Sequence, residues 1–247
     1  MWGFAGALRR VGGDMGFISL VMGATILLYG ATLIIGGIRP AGGGFFNFLA
    51  PTAPALFAFG ASGAVPVFGY GRWWTVLSAG WLHGGLLHIF FNLLWLRQLA
   101  PGVAELYGAS RMVIIYTLSS VVGFLLSSLT GAFLPFLGGA RLTVGASAAI
   151  FGLLAALVYY GRRSGSRLVG NQAWSYAIVL FIFGFFMGGV DNWAHLGGFL
   201  GGYLAARLLD PLREERTDHT LAAIVCLAAS FLAVGASLAF TFLRPQP

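Results

Sequence analysis

Thr143-Val144-Gly145-Ala146-Ser147-Ala148-Ala149-Ile150-Phe151-Gly152 opens an apolar run that continues to Tyr160, and its reading decides between a soluble and a membrane fold. A serine stands where an apolar residue would be easier to bury, and small residues crowd it on both sides. Gly145 precedes it. Ala148 and Gly152 form a small face at i, i+4, so a second backbone can approach closely. Phe151 lies one turn on, on the serine's own face. Taken alone, such a serine most often bonds back to a carbonyl of its own helix. Whether Ser147 does more depends on what the remaining chain brings to it.

Outside this stretch the chain is equally apolar. Of its 247 residues 58% are hydrophobic and 9% charged, with mean hydropathy +0.87. Soluble domains carry about 25% charged residues, so this chain cannot cover a water-facing surface and lipid is the solvent for most of it. The 38 glycines suit helices packed backbone to backbone in a membrane. The net charge of +7 comes from 14 arginines and no lysine. The longest basic run is Arg162-Arg163, which argues against nucleic-acid binding. The single cysteine, Cys226, excludes an internal disulfide and a cysteine metal site. The first apolar run, 17–38, is long enough to span a bilayer and remain there.

Seven apolar stretches, 17–38, 82–99, 111–129, 144–160, 173–189, 191–209 and 221–243, read as transmembrane helices. The expected organisation is a short cytoplasmic tail (1–16), a six-helix core (17–209), a charged loop (210–219) and an extra C-terminal transmembrane helix with its tail (220–247). The 41–74 segment contains Pro51, Pro54 and Pro66, which break a continuous helix. It is too apolar for disorder, so it is expected to lie in the membrane interface with Trp73 and Trp74 as belt aromatics. With the N-terminus inside, ten arginines fall on the inner side and four on the outer, the bias of a cytoplasmic N-terminus. Spans two, four and six then run from the outer face inward. Their first turns hold His83, His88 and Asn92; Ser147; and His195. The polar groups therefore share one depth, which scattered structural residues would have no reason to do.

Polar and ionisable groups inside spans are costly and suggest function. His195 sits in Asp191-Asn192-Trp193-Ala194-His195-Leu196-Gly197-Gly198-Phe199-Leu200-Gly201-Gly202. Gly198 and Gly202, at i+3 and i+7, put a glycine stripe beside the imidazole. Packed on the small face of span four, with Gly152, that stripe lets His195 reach Ser147. His88 and Asn92, at i, i+4, share a face and can both donate hydrogen bonds to an anion; His83 is expected to point elsewhere, at the helix mouth. A zinc site from His83, His88 and His195 lacks a His-x-x-x-His pair and any carboxylate but Asp191, so no metal or cofactor is expected. Asp191, at i−4 from His195, either orients that histidine or serves only as a helix N-terminal acid.

Trp73-Trp74, His83 with His88 and Asn92, Gly145-Ala146-Ser147 and Asp191 to Gly198 together resemble the rhomboid intramembrane serine proteases. Glu105-Leu106-Tyr107-Gly108, Arg111 and Tyr116 strengthen the resemblance, which covers roughly 73–209. It implies an all-α, polytopic six-helix core with one added C-terminal helix, and peptide-bond hydrolysis by a Ser-His dyad. Ser147 would be the nucleophile and His195 the general base and acid. The Ser147 N–H, Asn92 and His88 would hold the oxyanion, and His83 would help retain catalytic water. Phe151 would pack on the histidine, and 41–74 would be the half-submerged first loop. The implied partners are single-span transmembrane protein substrates and the lipid bilayer, in a bacterial plasma membrane with the site near the outer leaflet; the oligomeric state stays open. Two other readings are a non-catalytic relative that escorts membrane proteins, which would lack the serine or the histidine, and a small transporter, which would show polar groups at several depths. Two departures from the family pattern are Ala148, where glycine is frequent, and Thr75, where many members carry arginine.

Overall fold

The computed structural model describes residues 16–39 and 48–243. The expected cytoplasmic tail up to residue 15, the first part of the 41–74 loop and the last four residues fall outside them. Helices follow in the order α1 (Gly16–Gly36), α2 (Ala53–Phe59), α3 (Thr75–Ser78, running into a 3-10 turn Ala79–Trp81), α4 (Leu86–Tyr107), α5 (Ala109–Phe133), α6 (Ser147–Ser164), α7 (Arg167–Phe186), α8 (Asn192–Leu208) and α9 (Thr217–Leu243). Among the described residues there is no strand, only isolated bridges such as Ser62 with Thr143. The fold is all-α.

Seven of these helices are long, and their limits reflect local chemistry. The helix expected over 82–99 starts later, at Leu86, after a turn through Gly84 and Gly85. It runs through Pro101 to Tyr107 and ends on Gly108 at φ 93°. The helix expected over 173–189 instead begins at Arg167, because Gly165 at φ 78° ends α6 and the chain re-enters a helix at once. Its first turns are too polar for hydropathy to mark as a span.

Among the described residues, α1 (from Ile18), α5, α7 and α9 are each long and apolar enough to cross a bilayer unaided. α4 meets the same measure only joined to Thr75–Trp81, across a 92° bend. α6 has 18 residues and ends on Arg162 and Arg163; α8 has 17. At 1.5 Å per residue these two reach about 27 and 25 Å, short of a hydrocarbon core of about 30 Å. α6 needs no lipid-facing surface of full depth, because other helices enclose it, whereas α8 keeps an exposed apolar face at Leu200, Leu204 and Leu208. Ala148, Ala149, Leu153, Leu154, Ala155 and Ala156 of α6 are completely buried.

Glycine sets the centre of the bundle. On α8, Gly198 and Gly202 face α6, where an added Cβ would run into the Ala148 carbonyl and the Gly152 backbone. One residue earlier in each turn, Gly197 and Gly201 face α5 at Gly123 and Val122. Two glycine stripes thus seat α8 between two helices at backbone contact. Gly152 is hemmed in from the other side by Ser119 of α5. The Ala148 methyl, the departure noted above, is accommodated because it points at Gly123, which offers no side chain.

From residue 48 onward the first loop is built rather than loose. Pro54 lies in the first turn of α2, where its missing N–H costs nothing, and Thr52 caps that helix by accepting from the Ala55 N–H. Ser62 pairs with Thr143 through two backbone bonds of 2.8 and 3.0 Å, tying the loop to the strand-like segment before Gly145. Trp73 is exposed, but Trp74, expected to be a belt residue with it, turns inward and donates to Ser237 Oγ of α9 at 3.0 Å. Thr75 closes the turn by donating to the Arg72 carbonyl at 2.8 Å.

Candidate active site

Ser147 is the first residue of α6, and its predecessor Ala146 offers no side-chain cap. The leading N–H groups of a helix have no carbonyl within the helix to bond, and they carry its positive end. Ser147 therefore stands where a developing negative charge is stabilised. Gly145 makes this turn possible: its φ of 131° lies in the region glycine alone adopts readily, and its N–H donates to the Ala79 carbonyl at 3.0 Å.

His195 is the fourth residue of α8. Its Nε2 lies 2.9 Å from Ser147 Oγ, a distance at which a hydroxyl donates to a ring nitrogen. With Nε2 as acceptor, the proton of the neutral imidazole resides on Nδ1. Phe151 stacks on the ring with centroids 4.3 Å apart and planes 18° from parallel. That contact and the glycine seams leave His195 only 5% exposed. The imidazole is therefore confined to one orientation.

Asp191 does not orient His195. One of its oxygens accepts the Ala194 N–H at 3.0 Å and caps α8, and the other accepts from Ser127 Oγ at 2.6 Å. His195 Nδ1 has no hydrogen-bonding partner among the described residues. Ser147 and His195 are therefore a hydrogen-bonded pair with no carboxylate on the far side of the ring among the described residues. Asp191, with Trp193 donating to the Leu137 carbonyl at 2.8 Å, anchors the first turn of α8 to α5 and the loop after it. Ser127 and Leu137 were not legible as support for this helix, since neither stands out from the run around it.

His88 accepts the Gly84 N–H on Nδ1 at 3.2 Å, so its proton is on Nε2. That N–H faces the Ser147 turn: the position a Gly145 Cβ would occupy is 2.6 Å from His88 Nε2 and 3.8 Å from Ser147 Oγ. Asn92 is buried one turn further along α4 and donates to the His88 carbonyl at 2.8 Å, which leaves its second amide hydrogen for another acceptor. His83 does not point away. It sits in the turn before α4, completely buried, with its ring edge-on to His88 at 5.0 Å, and it accepts the Ala146 N–H at 3.4 Å. The turn Gly84-Gly85 folds the two rings together, which helical spacing alone could not convey. No group of three metal-ligating side chains occurs among the described residues.

The structure thus brings Ser147, His195, Phe151, His88, His83 and Gly145 to one place, with Asn92 beside them and Gly152, Gly198 and Gly202 in the seam that docks their helices. A hydroxyl bonded to an imidazole, with N–H donors around the same point, is an arrangement with the geometry that acyl-transfer chemistry requires. Residues 70–211 match the family model described as the Rhomboid domain. The chain is 34% identical over 183 residues to Rhomboid protease GluP of Bacillus subtilis, covering 73% of this chain and 34% of that protein. It is 34% identical over 174 residues to RHOMBOID-like protein 5 of Arabidopsis thaliana (65% and 52%). To Rhomboid-like protease 1 of Toxoplasma gondii it is 32% identical over 162 residues (63% and 53%). The chain spans between about a third and about half of the length of these relatives. With the helices described above, these matches make the chain an integral, multi-pass membrane protein that belongs to the rhomboid family.

Proposed function

We propose that this chain is an intramembrane serine endopeptidase acting on single-span transmembrane proteins through a Ser147–His195 dyad. The observation that carries the reading is the 2.9 Å contact between Ser147 Oγ and His195 Nε2 in the first turns of two short helices packed on each other. Two of the relatives named above carry protease in their names.

In the proposed reaction, Ser147 Oγ attacks the carbonyl carbon of the substrate peptide while His195 Nε2 takes the hydroxyl proton. The resulting oxyanion is met by the Ser147 N–H at the helix terminus, by His88 Nε2–H and by the free amide hydrogen of Asn92. His195 then returns its proton to the departing amine, leaving an acyl-enzyme on Ser147. Water, deprotonated by His195, attacks that ester and releases the acid. Phe151 keeps the imidazole in plane through both halves, and no acid behind His195 is required. A substrate helix must unwind locally, because its carbonyls are otherwise bonded within it, so sites with small or helix-breaking residues are favoured.

The proposed setting is a bacterial plasma membrane with the N-terminus in the cytoplasm and the dyad near the outer leaflet; the arginine bias supports that orientation. The test is a fluorophosphonate probe applied to the purified protein in lipid vesicles. Labelling of the wild type that is lost in Ser147→Ala and slowed at least about 100-fold in His195→Ala supports the dyad; labelling that persists in Ser147→Ala removes it.

A further inference from the structure

Helix α9 lies outside the 70–211 match and contributes no side chain to the dyad. It nevertheless holds the segment on which the Ser147 turn rests. Ser237, completely buried on α9, accepts the Trp74 indole N–H on Oγ at 3.0 Å and Arg72 Nη2 on its carbonyl at 3.4 Å. The Arg72 side chain is itself completely buried, with its guanidinium 4.2 Å from the Phe57 ring centroid and 5.1 Å from that of Phe240 on α9. Phe240 also meets the Trp74 ring edge-on at 5.8 Å, and about two and a half turns earlier Phe231 packs on Trp81 at 5.0 Å. Gly60 is pinned between Ser78 and Ser237, where an added Cβ would find the Ser237 hydroxyl at 2.7 Å. Every one of these contacts grips the piece of chain from Arg72 to Trp81, or the loop it folds against. That piece contains Ala79, whose carbonyl accepts the Gly145 N–H at 3.0 Å.

We infer that α9 is a positioning strap: by holding Arg72 to Trp81 through Trp74 and Ser237, it fixes the Ala79 carbonyl and hence the Gly145–Ser147 turn. The glycine turn needs such a hold. Gly145 has the widest backbone freedom of any residue type, and its unusual φ persists only where neighbours impose it. If the strap loosens, the Ser147 N–H and His88 Nε2–H no longer converge. The catalytic consequence rests on the protease reading; the mechanical one does not.

The test uses the full chain in lipid vesicles and four variants: Ser237→Ala, which removes the acceptor; Trp74→Phe, which keeps a ring without its N–H; the double variant; and Leu232→Ala, on the exposed side of α9. Two quantities are read: amide hydrogen exchange in peptides covering Gly145, and the rate of fluorophosphonate labelling at Ser147. The expected result is exchange about 5-fold faster and labelling about 5-fold slower in each single variant, the effect one buried hydrogen bond supports. The double variant should be no worse than the singles, and Leu232→Ala should match the wild type. Unchanged exchange around Gly145 in Ser237→Ala and Trp74→Phe overturns the strap, even if thermal stability falls. A wild type that takes no label, while exchange still responds to Ser237→Ala, overturns the protease reading and leaves the strap standing.

Discussion

Gly198→Ala tests the docking of α8 with the smallest possible addition. The new Cβ would meet the Ala148 backbone, with the carbonyl carbon at 2.7 Å and Cα at 2.9 Å. Ordinary contact between such atoms is about 3.5–4 Å, so α8 must retreat by roughly 1 Å at this level. Because the obstacle is backbone, no rotamer change relieves it. His195 lies one turn away on the same helix, and a similar retreat there takes its 2.9 Å bond to Ser147 beyond hydrogen-bonding range. Misplacement by about 1 Å can cost about 10²-fold in rate, and overpacking a well-filled core costs about 1–3 kcal/mol. Alanine is the better helix former by about 1 kcal/mol, so any loss of stability appears in spite of that gain. Gly30→Ala is the control: on α1 the same added methyl meets no atom within 4 Å. Initial rates of labelling or substrate cleavage, beside melting curves in vesicles, should show Gly198→Ala slowed by about 10²-fold and Gly30→Ala near wild type. Wild-type rates in Gly198→Ala would refute the claim that backbone contact between α6 and α8 sets the dyad distance.

Gly145→Ala forces an unfavourable φ and drives a methyl against His88 Nε2; turnover should fall about 10²–10³-fold, the loss typical of one oxyanion donor, with KM little changed in steady-state kinetics. Asp191→Asn keeps an N-cap of equal quality and removes no partner of His195, so cleavage should stay within about 5-fold of wild type; a loss near 10⁴-fold would show a third catalytic member after all. At the charged end of the bundle, the Leu212 N–H and then the Arg163 guanidinium hold the Asp210 carboxyl below the usual aspartate range. A depressed carboxyl stabilises the fold above its unfolded value, near 4, and that contribution fades as pH falls through the lower folded value. Melting temperature measured from pH 6 downward should drop less steeply in Asp210→Asn than in the wild type, and parallel curves would count against the assignment.

Much of this architecture was legible because the bilayer restricts what a chain can do. Seven apolar stretches without capacity for a water-facing surface leave helices as the economical solution, and the shared depth of Ser147, His195 and His88 follows from helix direction alone. The glycines around His195 and the small residues around Ser147 announce close contact, though not that α8 would use two stripes, one for α6 and one for α5. What stayed hidden are the contacts made across turns and between distant elements. His83 reaches His88 only because Gly84-Gly85 redirects the chain. Arg72 reads as an outward loop charge, yet it is buried between Phe57 and Phe240, because the first loop folds under a helix more than 150 residues later. Asp191 reads equally well as a triad acid or a cap, and only the positions of Ser127 and Ala194 distinguish them. The polar start of α7, around Asn171 and Gln172, resembles a loop in hydropathy, since a helix can extend into interfacial water without an apolar signature.

The most direct measurement is cleavage of a reporter protein with one transmembrane segment by the purified chain in lipid vesicles, comparing wild type with Ser147→Ala and His195→Ala at matched folded concentrations. Cleavage by the wild type, with no product above background from Ser147→Ala and a loss of at least about 10³-fold in His195→Ala, is the expected result. Equal cleavage by either variant would contradict the dyad on which this account rests.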